Sequence, residues 1–363
     1  MSNISTCLIV KNESSCIRRC LESILPFSDE VIIYDTGSED GTQDICSEYE
    51  NVKVIQGTWN NDFSWARNES FKHATKEYIM WVDADDVIDK DSQNWLINFK
   101  KSELSKYDIV FFEYIYDMTE EGTYTTHFYR ERIFRRSLKP KWISPIHEYV
   151  LCDGDRIYHA KLDDMKITHR KHSPNPLRNI SISAKLSIEG KITTGRDWFY
   201  YAQECRWHEN IDSAIEKYNK ALSCPDLWYV DALNTLYQMA LIYKNDKKDS
   251  KLALKYAYDA VQCTRVPRAD VCCLIGDIYL EDQNYRVASL WFKLAVNNIP
   301  DEFEGTFMLE CYNKEYAMLQ ACVSLYNEGL IEESEKYNDM VLELYPEHEM
   351  ALQNKDFFNN LKK

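Results

Sequence analysis

The sequence contains no apolar run near the roughly 20 residues that a membrane-spanning helix needs. Residues 1–5 lack the basic stretch and the long apolar segment of a signal peptide. Basic residues are also few, because 43 lysines and arginines stand against 59 acidic residues and leave a net charge of −16. This charge disfavours sequence-independent binding to nucleic acid. Together these absences predict a cytoplasmic protein without a membrane span and without a nucleic-acid partner.

Paired cysteine motifs are absent as well. The 12 cysteines are scattered without a CxxC pair, apart from the adjacent Cys272 and Cys273. We interpret them as reduced core residues rather than disulfides or zinc ligands. The sequence is instead rich in aromatic residues, with 25 tyrosines and 9 tryptophans, which suit core packing and the stacking of sugars or bases. One basic run, residues 130–141, fits either a solvated strand edge or a surface that faces phosphate.

The N-terminal half alternates strand and helix patterns. The predicted strands are Thr6–Val10, Glu30–Tyr34, Val52–Gln56 and Tyr78–Val82. The predicted helices between them are Glu13–Leu25, Gly41–Tyr49 and Ser64–Ala74. This alternation predicts a Rossmann-like α/β domain with a mostly parallel sheet covered by helices on both faces. Ligands of such sheets bind in the loops at the carboxyl ends of the strands.

From about Asp197 the pattern changes to continuous helix with a repeat near 34 residues. Small and aromatic residues recur at the spacings of the tetratricopeptide (TPR) template. The best window contains Gly276, Tyr279, Ala288, Phe292, Ala295 and Pro300. Other windows use Trp198, Ala202, Ala214, Tyr218 and Ala221, then Ala240, Tyr243, Ala253 and Ala260, and a last one ends at Pro346. We therefore predict an α/β domain over 1–170, a linker with a first helix over 171–194, and an all-α TPR-like repeat domain over 195–363.

Two carboxylates follow the fourth predicted strand, at Asp83 and Asp85, with Ala84 between them. Acids separated by one residue at the end of a buried strand can hold a hard divalent cation against a diphosphate. An acidic turn on a solvated surface would have the same residue pattern. The position of the motif after four alternating strands favours cation binding.

Polar residues also follow the first two strands. Lys11-Asn12-Glu13 comes directly after Val10, and Asp35 begins a segment that reaches Ser38. An acid at a strand end can accept hydrogen bonds from a nucleobase or a ribose. The segment also reads as a turn followed by a helix cap. Both interpretations can hold, because such a turn can orient Asp35.

A third polar cluster, residues 61–68, contains Phe63, Arg67 and Asn68. Its simplest interpretation is a capped helix start. An arginine there is also suited to binding a charged ligand or to orienting the metal acids.

Two later positions complete the set of candidates. The His147-Glu148 step can supply a general base, a ligand or a surface pair, and a carboxylate base makes Glu148 our candidate. His169 ends a short candidate strand. A lone histidine is usually structural, but this one could supply a nitrogen ligand to a metal.

The order of these motifs resembles family 2 glycosyltransferases. By its layout the chain is similar to the sublancin-type bacteriocin peptide glycosyltransferases, which also carry a repeat-rich helical C-terminal region. The resemblance rests on the motifs above, together with the segment 132–135, His169 and the later Asn175-Pro176.

The resemblance implies a GT-A fold, a nucleotide-diphosphate sugar donor such as UDP-Glc or UDP-GlcNAc, Mg²⁺ or Mn²⁺, and inversion at the anomeric carbon. It implies an acceptor that is a Cys or Ser/Thr side chain of a peptide or protein. It suggests Asp35 near the uracil or ribose and Asp83 near the ribose, Asp85 and His169 on the metal, and Glu148 as base beside His147. The expected donor-binding residues are Val10, Lys11, Asn12, Glu13, Asp35, Ser38, Phe63, Arg67, Asn68, Asp83 and Ala84.

Two alternatives remain at this stage. The same donor site could serve a glycosyltransferase that acts on cell-wall or polysaccharide precursors. The chain could instead be an interaction scaffold whose catalytic domain has decayed, although both metal acids and the candidate base are present. The helical repeats would position an extended acceptor or join two copies into a homodimer.

Overall fold

The computed structural model describes residues 2–118, 124–154, 159–170, 176–298, 312 and 314–362. The chain forms two compact units, residues 1–182 and 183–363. The change of unit falls within the helix Arg178–Ile188. The domain limits at residues 170 and 195 stay predictions of the sequence, and part of the predicted linker, 171–175, lies outside the described residues.

The first unit is an α/β structure built on one large sheet. Its strands are β1 (Ile4–Val10), β2 (Glu30–Asp35), β3 (Val52–Gln56), β4 (Tyr78–Trp81), β5 (Asp86–Val87), β6 (Ile109–Met118), β7 (Tyr124–Arg135), β8 (Lys141–Ile143), β9 (Tyr149–Leu151) and β10 (His159–His169). Its helices are α1 (Ile17–Ile24), α2 (Thr42–Ser47), α3 (Phe63–Lys72) and α4 (Lys90–Ser102). The next helix, α5 (Arg178–Ile188), contains the boundary between the two units.

The eight-stranded sheet has the order β3-β2-β1-β4-β7-β6-β10-β5, and β8 pairs with β9 in a separate hairpin. The pairs among β1, β2, β3 and β4 are parallel, as is the pair of β6 with β10. The strands β1, β2 and β4 therefore end at one edge of the sheet, where the loops that follow them meet. The predicted α/β class with a mostly parallel sheet is confirmed, and each of the four predicted strands is present within two residues of its expected bounds.

Strand β7 corrects one expectation. The basic run at 130–141 fitted a solvated strand edge, but β7 pairs with β4 on one side and β6 on the other. It is an inner strand, and Arg132 on it is completely buried. The rings of Trp81 on β4 and Tyr114 on β6 lie against its guanidinium. A basic residue pattern cannot distinguish a charged edge from a buried arginine whose partner lies far away in sequence.

The second unit consists of helices that pack in consecutive pairs. They are α6 (Gly195–Trp207), α7 (Ile211–Ser223), α8 (Tyr229–Asn245), α9 (Ser250–Val261), α10 (Ala269–Glu281), α11 (Tyr285–Asn297), α12 (Glu315–Glu328), α13 (Ile331–Leu344) and α14 (Glu349–Leu361). A side chain at Gly276 would meet the Phe292 ring at 2.7 Å, so α10 and α11 pack closely because this position is glycine. Ala288 and Ala295 are fully buried at the same contact. The predicted helical-repeat architecture is confirmed, while Pro300 lies outside the described residues.

Eleven described cysteines are free thiols, and most of them are buried. In the part of the chain that the structure describes, no helix is both long enough and apolar enough to cross a lipid bilayer.

The burial of Asp277 in α10 predicts that the stability of the second unit depends on pH. Burial raises the pKa of Asp277 to about 6, although the Tyr316 hydroxyl donates a hydrogen bond to its Oδ1 at 2.8 Å. The folded pKa lies above the usual value near 4, so ionisation of Asp277 destabilises the fold as pH rises from about 4 through 6. We expect Asp277→Asn to stabilise the protein by about 1–2 kcal/mol at pH 8 and by much less at pH 4.

Thermal unfolding at the two pH values measures this difference. The exposed Asp282, just after the same helix, gives the control Asp282→Asn. An equal change in Tm at pH 4 and pH 8 for Asp277→Asn would contradict the assignment.

Candidate active site

The loops after β1 and β2 hold each other through side chains. Asn12 adopts a left-handed backbone conformation (φ 58°), and its N–H donates to Ser38 Oγ at 2.9 Å. In return, the Glu39 N–H donates to Asn12 Oδ1 at 2.8 Å, and the Glu13 N–H donates to Thr42 Oγ1 at 2.8 Å. The sequence motifs after the two strands thus form one structured edge. Lys11 is exposed there, and Val10 is buried beneath it.

Asp35 is the buried acid at this edge and is only 1% exposed. Its Oδ1 accepts hydrogen bonds from the N–H groups of Gly37 (2.8 Å) and Ser38 (2.7 Å). Its Oδ2 is buried and has no hydrogen-bond partner among the described residues. Because a buried acceptor without a partner is costly, this oxygen is suited to a donor group of a bound ligand. The turn and the functional interpretation of 35–38 are therefore compatible.

The turn after β4 is held by Asp86, a residue that the sequence motif did not include. Asp86 Oδ2 accepts the Asp83 N–H at 3.0 Å and an Arg132 N–H at 3.0 Å. Asp86 Oδ1 accepts the hydroxyl of Tyr114 at 2.9 Å. Burial and the Asp86 charge raise the pKa of Tyr114 far above its usual range, so its hydroxyl keeps the proton that it donates. These bonds fix the turn that carries Asp83, Ala84 and Asp85.

Three possible metal ligands converge beside this turn, namely Asp85, Asp86 and His169. One ligand atom from each lies within 4.8 Å of the others. They meet because β10 pairs with β5 in antiparallel register, which places His169 opposite Asp86. His169 Nδ1 lies 3.3 Å from Asp85 Oδ1 and 3.5 Å from Asp86 Oδ1, without hydrogen-bond geometry to either oxygen.

This set of donors fits a divalent cation. Carboxylate oxygens suit Mg²⁺ and Mn²⁺, and an imidazole nitrogen is an accepted ligand for Mn²⁺ and softer ions. Burial disfavours the charged imidazolium, but the carboxylates of Asp85 and Asp86 outweigh it and raise the pKa of His169 to about 10. The negative charge that holds this proton would equally attract a metal cation. The predicted ligands Asp85 and His169 therefore lie together.

Arg67 in α3 bridges two other acids. Its Nε donates to Glu148 Oε1 at 2.7 Å, and its Nη2 donates to Asp83 Oδ1 at 2.7 Å. Burial raises the pKa of the Asp83 carboxyl, but Arg67 and Arg132 outweigh that effect and lower it to about 2. No described residue donates a hydrogen bond to Glu148 Oε2. The candidate base thus keeps one oxygen for a substrate while its other oxygen is held.

The segment around Glu148 is attached to α3 by three further contacts. The side-chain amide of Asn68 donates to the Trp142 carbonyl and accepts from the Trp142 N–H, both at 2.9 Å. The Phe63 N–H donates to the Pro145 carbonyl at 2.8 Å. His147 adopts a left-handed conformation (φ 51°), which turns the chain just before Glu148. Asn68 and Phe63 therefore position the segment that carries the candidate base.

The aromatic residues of the site and the burial of Arg132 had no signal in the sequence, whereas Arg67 was already a candidate. Trp81, Trp142 and Tyr114 pack against the guanidiniums of Arg67 and Arg132. A pattern search finds acids and histidines, but these contacts join positions up to 75 residues apart in the chain. Asp86 was also missed, although its position directly after the Asp83–Asp85 motif could have indicated it.

Comparison with known proteins agrees with this geometry. Residues 5–164 match the family described as Glycosyl transferase family 2, which spans most of the first unit. The chain thus contains a family 2 glycosyltransferase domain, and a helical region follows this domain.

Relatives of this glycosyltransferase extend the comparison. Over 303 residues it is 28% identical to the SPbeta prophage-derived glycosyltransferase SunS of Bacillus subtilis (strain 168), covering 78% of this chain and 69% of that protein. Over 150 residues it is 32% identical to a TPR repeat-containing protein of Synechococcus elongatus, covering 41% and 36%. Over 112 residues it is 38% identical to the poly(ribitol-phosphate) beta-glucosyltransferase of Bacillus spizizenii, covering 28% and 18%.

The geometry of the glycosyltransferase site predicts which acid governs metal binding. We expect Asp85→Asn to weaken Mn²⁺ binding, measured by calorimetry in the presence of UDP, by at least about tenfold, because it removes one anionic ligand. The exposed Asp91 in the first turn of α4 provides the control Asp91→Asn, which should bind as the wild type does. Equal affinities for wild type and Asp85→Asn would remove Asp85 from the metal site.

Proposed function

We propose that this protein is an inverting, metal-dependent glycosyltransferase that transfers a sugar from a nucleotide diphosphate to a side chain of a peptide or protein. One observation carries the donor side of this proposal. Asp85, Asp86 and His169 converge within 4.8 Å at the turn after β4, beside Glu148, which Arg67 holds to the same turn. A metal, a donor and a base can act on one substrate only when they are gathered in this way.

The charges of the site support a divalent cation. Asp83, Asp85, Asp86 and Glu148 contribute four carboxylates, and Arg67 and Arg132 contribute two guanidiniums. His169 would be neutral when it binds a metal. The carboxylates then exceed the guanidiniums by two charges, and one divalent cation would balance this excess. When bound, such a cation would offset the charge that develops on the leaving diphosphate. Asp85, Asp86 and His169 are the residues that would hold it.

The nucleoside would lie along the edge formed by the loops after β1 and β2. The buried, unpaired Oδ2 of Asp35 can accept a hydrogen bond from the base or the ribose, and Ser38 fixes the loop beside it. Asp83 begins the turn after β4, residues 83–86, which we call the metal turn. Its low pKa keeps it ionised as an acceptor for ribose hydroxyls. Uridine as the nucleoside, with UDP-Glc or UDP-GlcNAc as donor, stays part of the proposal.

Glu148 is the proposed general base. The acceptor atom forms a bond to the anomeric carbon on the face opposite the diphosphate, while the bond from that carbon to the diphosphate oxygen breaks. The acceptor proton passes to Glu148 Oε2, and the electron pair of the broken bond stays on the diphosphate. Arg67 holds Oε1, so the orientation of Oε2 is set before the acceptor binds.

The peptide acceptor rests on two supports: the resemblance of the motifs to sublancin-type peptide glycosyltransferases, and the 28% identity to glycosyltransferase SunS. The helical repeats offer an extended surface on which a peptide could lie. Similarity to the poly(ribitol-phosphate) beta-glucosyltransferase favours a second candidate, transfer to a cell-wall precursor. A cytoplasmic location and a homodimer through the repeats remain predictions.

Loss of the base should slow turnover without preventing donor binding. We expect Glu148→Gln to lower kcat by about 10²–10⁴, the usual contribution of general-base catalysis, and to leave the Kd for UDP with Mn²⁺ within about twofold. Glu77→Gln is a matched control, because Glu77 is also ion-paired to a bridging arginine, Arg135, but at the opposite end of β4. Unchanged turnover of Glu148→Gln would place the base elsewhere.

An acceptor screen separates the two candidate functions. Nucleotide sugars are first tested for Mn²⁺-dependent hydrolysis, and the donor that is turned over is then offered with Cys- and Ser-containing peptides and with poly(ribitol phosphate). We expect mass spectrometry to find a hexose or N-acetylhexosamine on a peptide. Transfer to poly(ribitol phosphate) with no modified peptide would favour the second candidate.

A further inference from the structure

Five buried side chains of the first unit form a continuous stack of rings and guanidiniums. The Arg67 guanidinium carbon lies 4.6 Å from the centre of the Trp81 ring and 4.9 Å from that of Trp142. The Arg132 guanidinium carbon lies 3.8 Å from the centre of the same Trp81 ring and 4.3 Å from that of Tyr114. We call these residues the guanidinium–aromatic stack, and none of them is more than 6% exposed. Trp81 is the ring that both arginines share.

The Arg67 end of the stack joins the candidate base to the metal turn. One planar guanidinium donates to Glu148 through Nε and to Asp83 through Nη2. The fork of an arginine has a fixed geometry, so the position of one carboxylate restricts the position of the other. The rings of Trp81 and Trp142 restrict the guanidinium in turn.

The Arg132 end of the stack supports the metal turn. Arg132 donates to Asp86 Oδ2 at 3.0 Å, and Asp86 also accepts from the Asp83 N–H and the Tyr114 hydroxyl. Arg132 is the one basic side chain paired with Asp86 besides His169 in the described part of the chain. It therefore balances the charge of a ligand candidate without occupying the metal site itself.

Core packing alone does not account for Arg132. Its Nε and Nη2 are buried without a hydrogen-bond partner among the described residues, which destabilises a fold. A neutral side chain of similar length, such as methionine, would fill the space between Trp81 and Tyr114 without burying unsatisfied N–H groups. What the guanidinium adds is a hydrogen bond that fixes the orientation of the Asp86 carboxylate.

We propose that Arg67 and Arg132, joined through Trp81, are positioning residues of the transfer reaction. Arg67 orients Glu148 for removal of the acceptor proton. Arg132 orients the carboxylate of Asp86 and thereby raises the affinity of the metal turn for the cation. The inference rests on the proposed function and extends it, because it makes one buried unit responsible for both the base and the metal turn.

A double-mutant cycle tests the Arg67 part. Lysine keeps the charge of Arg67 but cannot present two N–H groups in a fixed fork. The rate of Mn²⁺-dependent sugar transfer to water is measured for wild type, Arg67→Lys, Glu148→Gln and the double variant. We expect Arg67→Lys to lower kcat at least about tenfold and to raise KM for the donor less than about threefold. In the Glu148→Gln background the same change should lower kcat less than about twofold.

The outcomes separate the inference from the proposed function. If Glu148→Gln alone turns over at the wild-type rate, the base assignment fails and the inference fails with it. A second outcome is that Glu148→Gln is slow while Arg67→Lys lowers kcat by the same factor in the wild type and in the Glu148→Gln variant. In that case Glu148 remains the base, and Arg67 does not act through it. If Arg67→Lys does not fold by thermal unfolding, Arg67→Gln takes its place in the cycle.

Manganese binding tests the Arg132 part. We expect Arg132→Met to weaken Mn²⁺ binding in the presence of UDP at least about tenfold, so that part of its lost turnover returns as the Mn²⁺ concentration rises. A structural defect would not be relieved by added metal.

Arg135→Lys is the control for both arms. Arg135 lies on β7, as Arg132 does. Its guanidinium lies 4.8 Å from the centre of the Tyr78 ring and bridges Glu77 and Asp108, at the end of β4 opposite to the metal turn. It should leave the Mn²⁺ affinity and kcat as in wild type. Wild-type or tighter Mn²⁺ affinity in Arg132→Met, or turnover that added Mn²⁺ does not restore, would overturn the role of Arg132.

Discussion

The active site depends on one constraint, the concentration of negative charge where β4 ends. Asp83, Asp85, Asp86 and Glu148 lie together there, and Asp86 is almost completely buried. Burying an uncompensated charge costs several kcal/mol, so the fold needs cations at the same place. Arg67 and Arg132 supply two of them. The charge that they leave is what would make the turn a site for a divalent metal.

The aromatic residues around these arginines complete the arrangement. Trp81 and Trp142 exclude water from Arg67, and Trp81 and Tyr114 exclude it from Arg132. Ion pairs in such surroundings are stronger and more restricted in geometry than pairs on the surface. The carboxylates are therefore already oriented in the protein without substrate, which is the condition for efficient electrostatic catalysis.

Much of the fold could be predicted from local patterns. Short apolar runs that alternate with amphipathic segments identified β1 to β4, and the spacing of Gly276, Phe292 and Ala295 identified a repeat in which two helices touch. Each of these patterns spans at most about 30 residues. Burial produces them, because buried positions require apolar or small residues at regular spacing. The basic run on β7 fitted either a solvated edge or a surface that faces phosphate, and the structure excludes the edge. Composition could not decide this, because it does not reveal which strands lie on either side.

The sequence by itself determined the α/β class, the helical repeats, and most of the acids and the histidine of the candidate site, since each of these has a residue type and a spacing of its own. Only the tertiary structure decided that His169 faces Asp86, that Arg67 bridges Asp83 and Glu148, and that Arg132 is buried. The reason is physical. Strand register and the packing of distant segments determine which side chains meet. Neither can be predicted from the residues on one side of the contact.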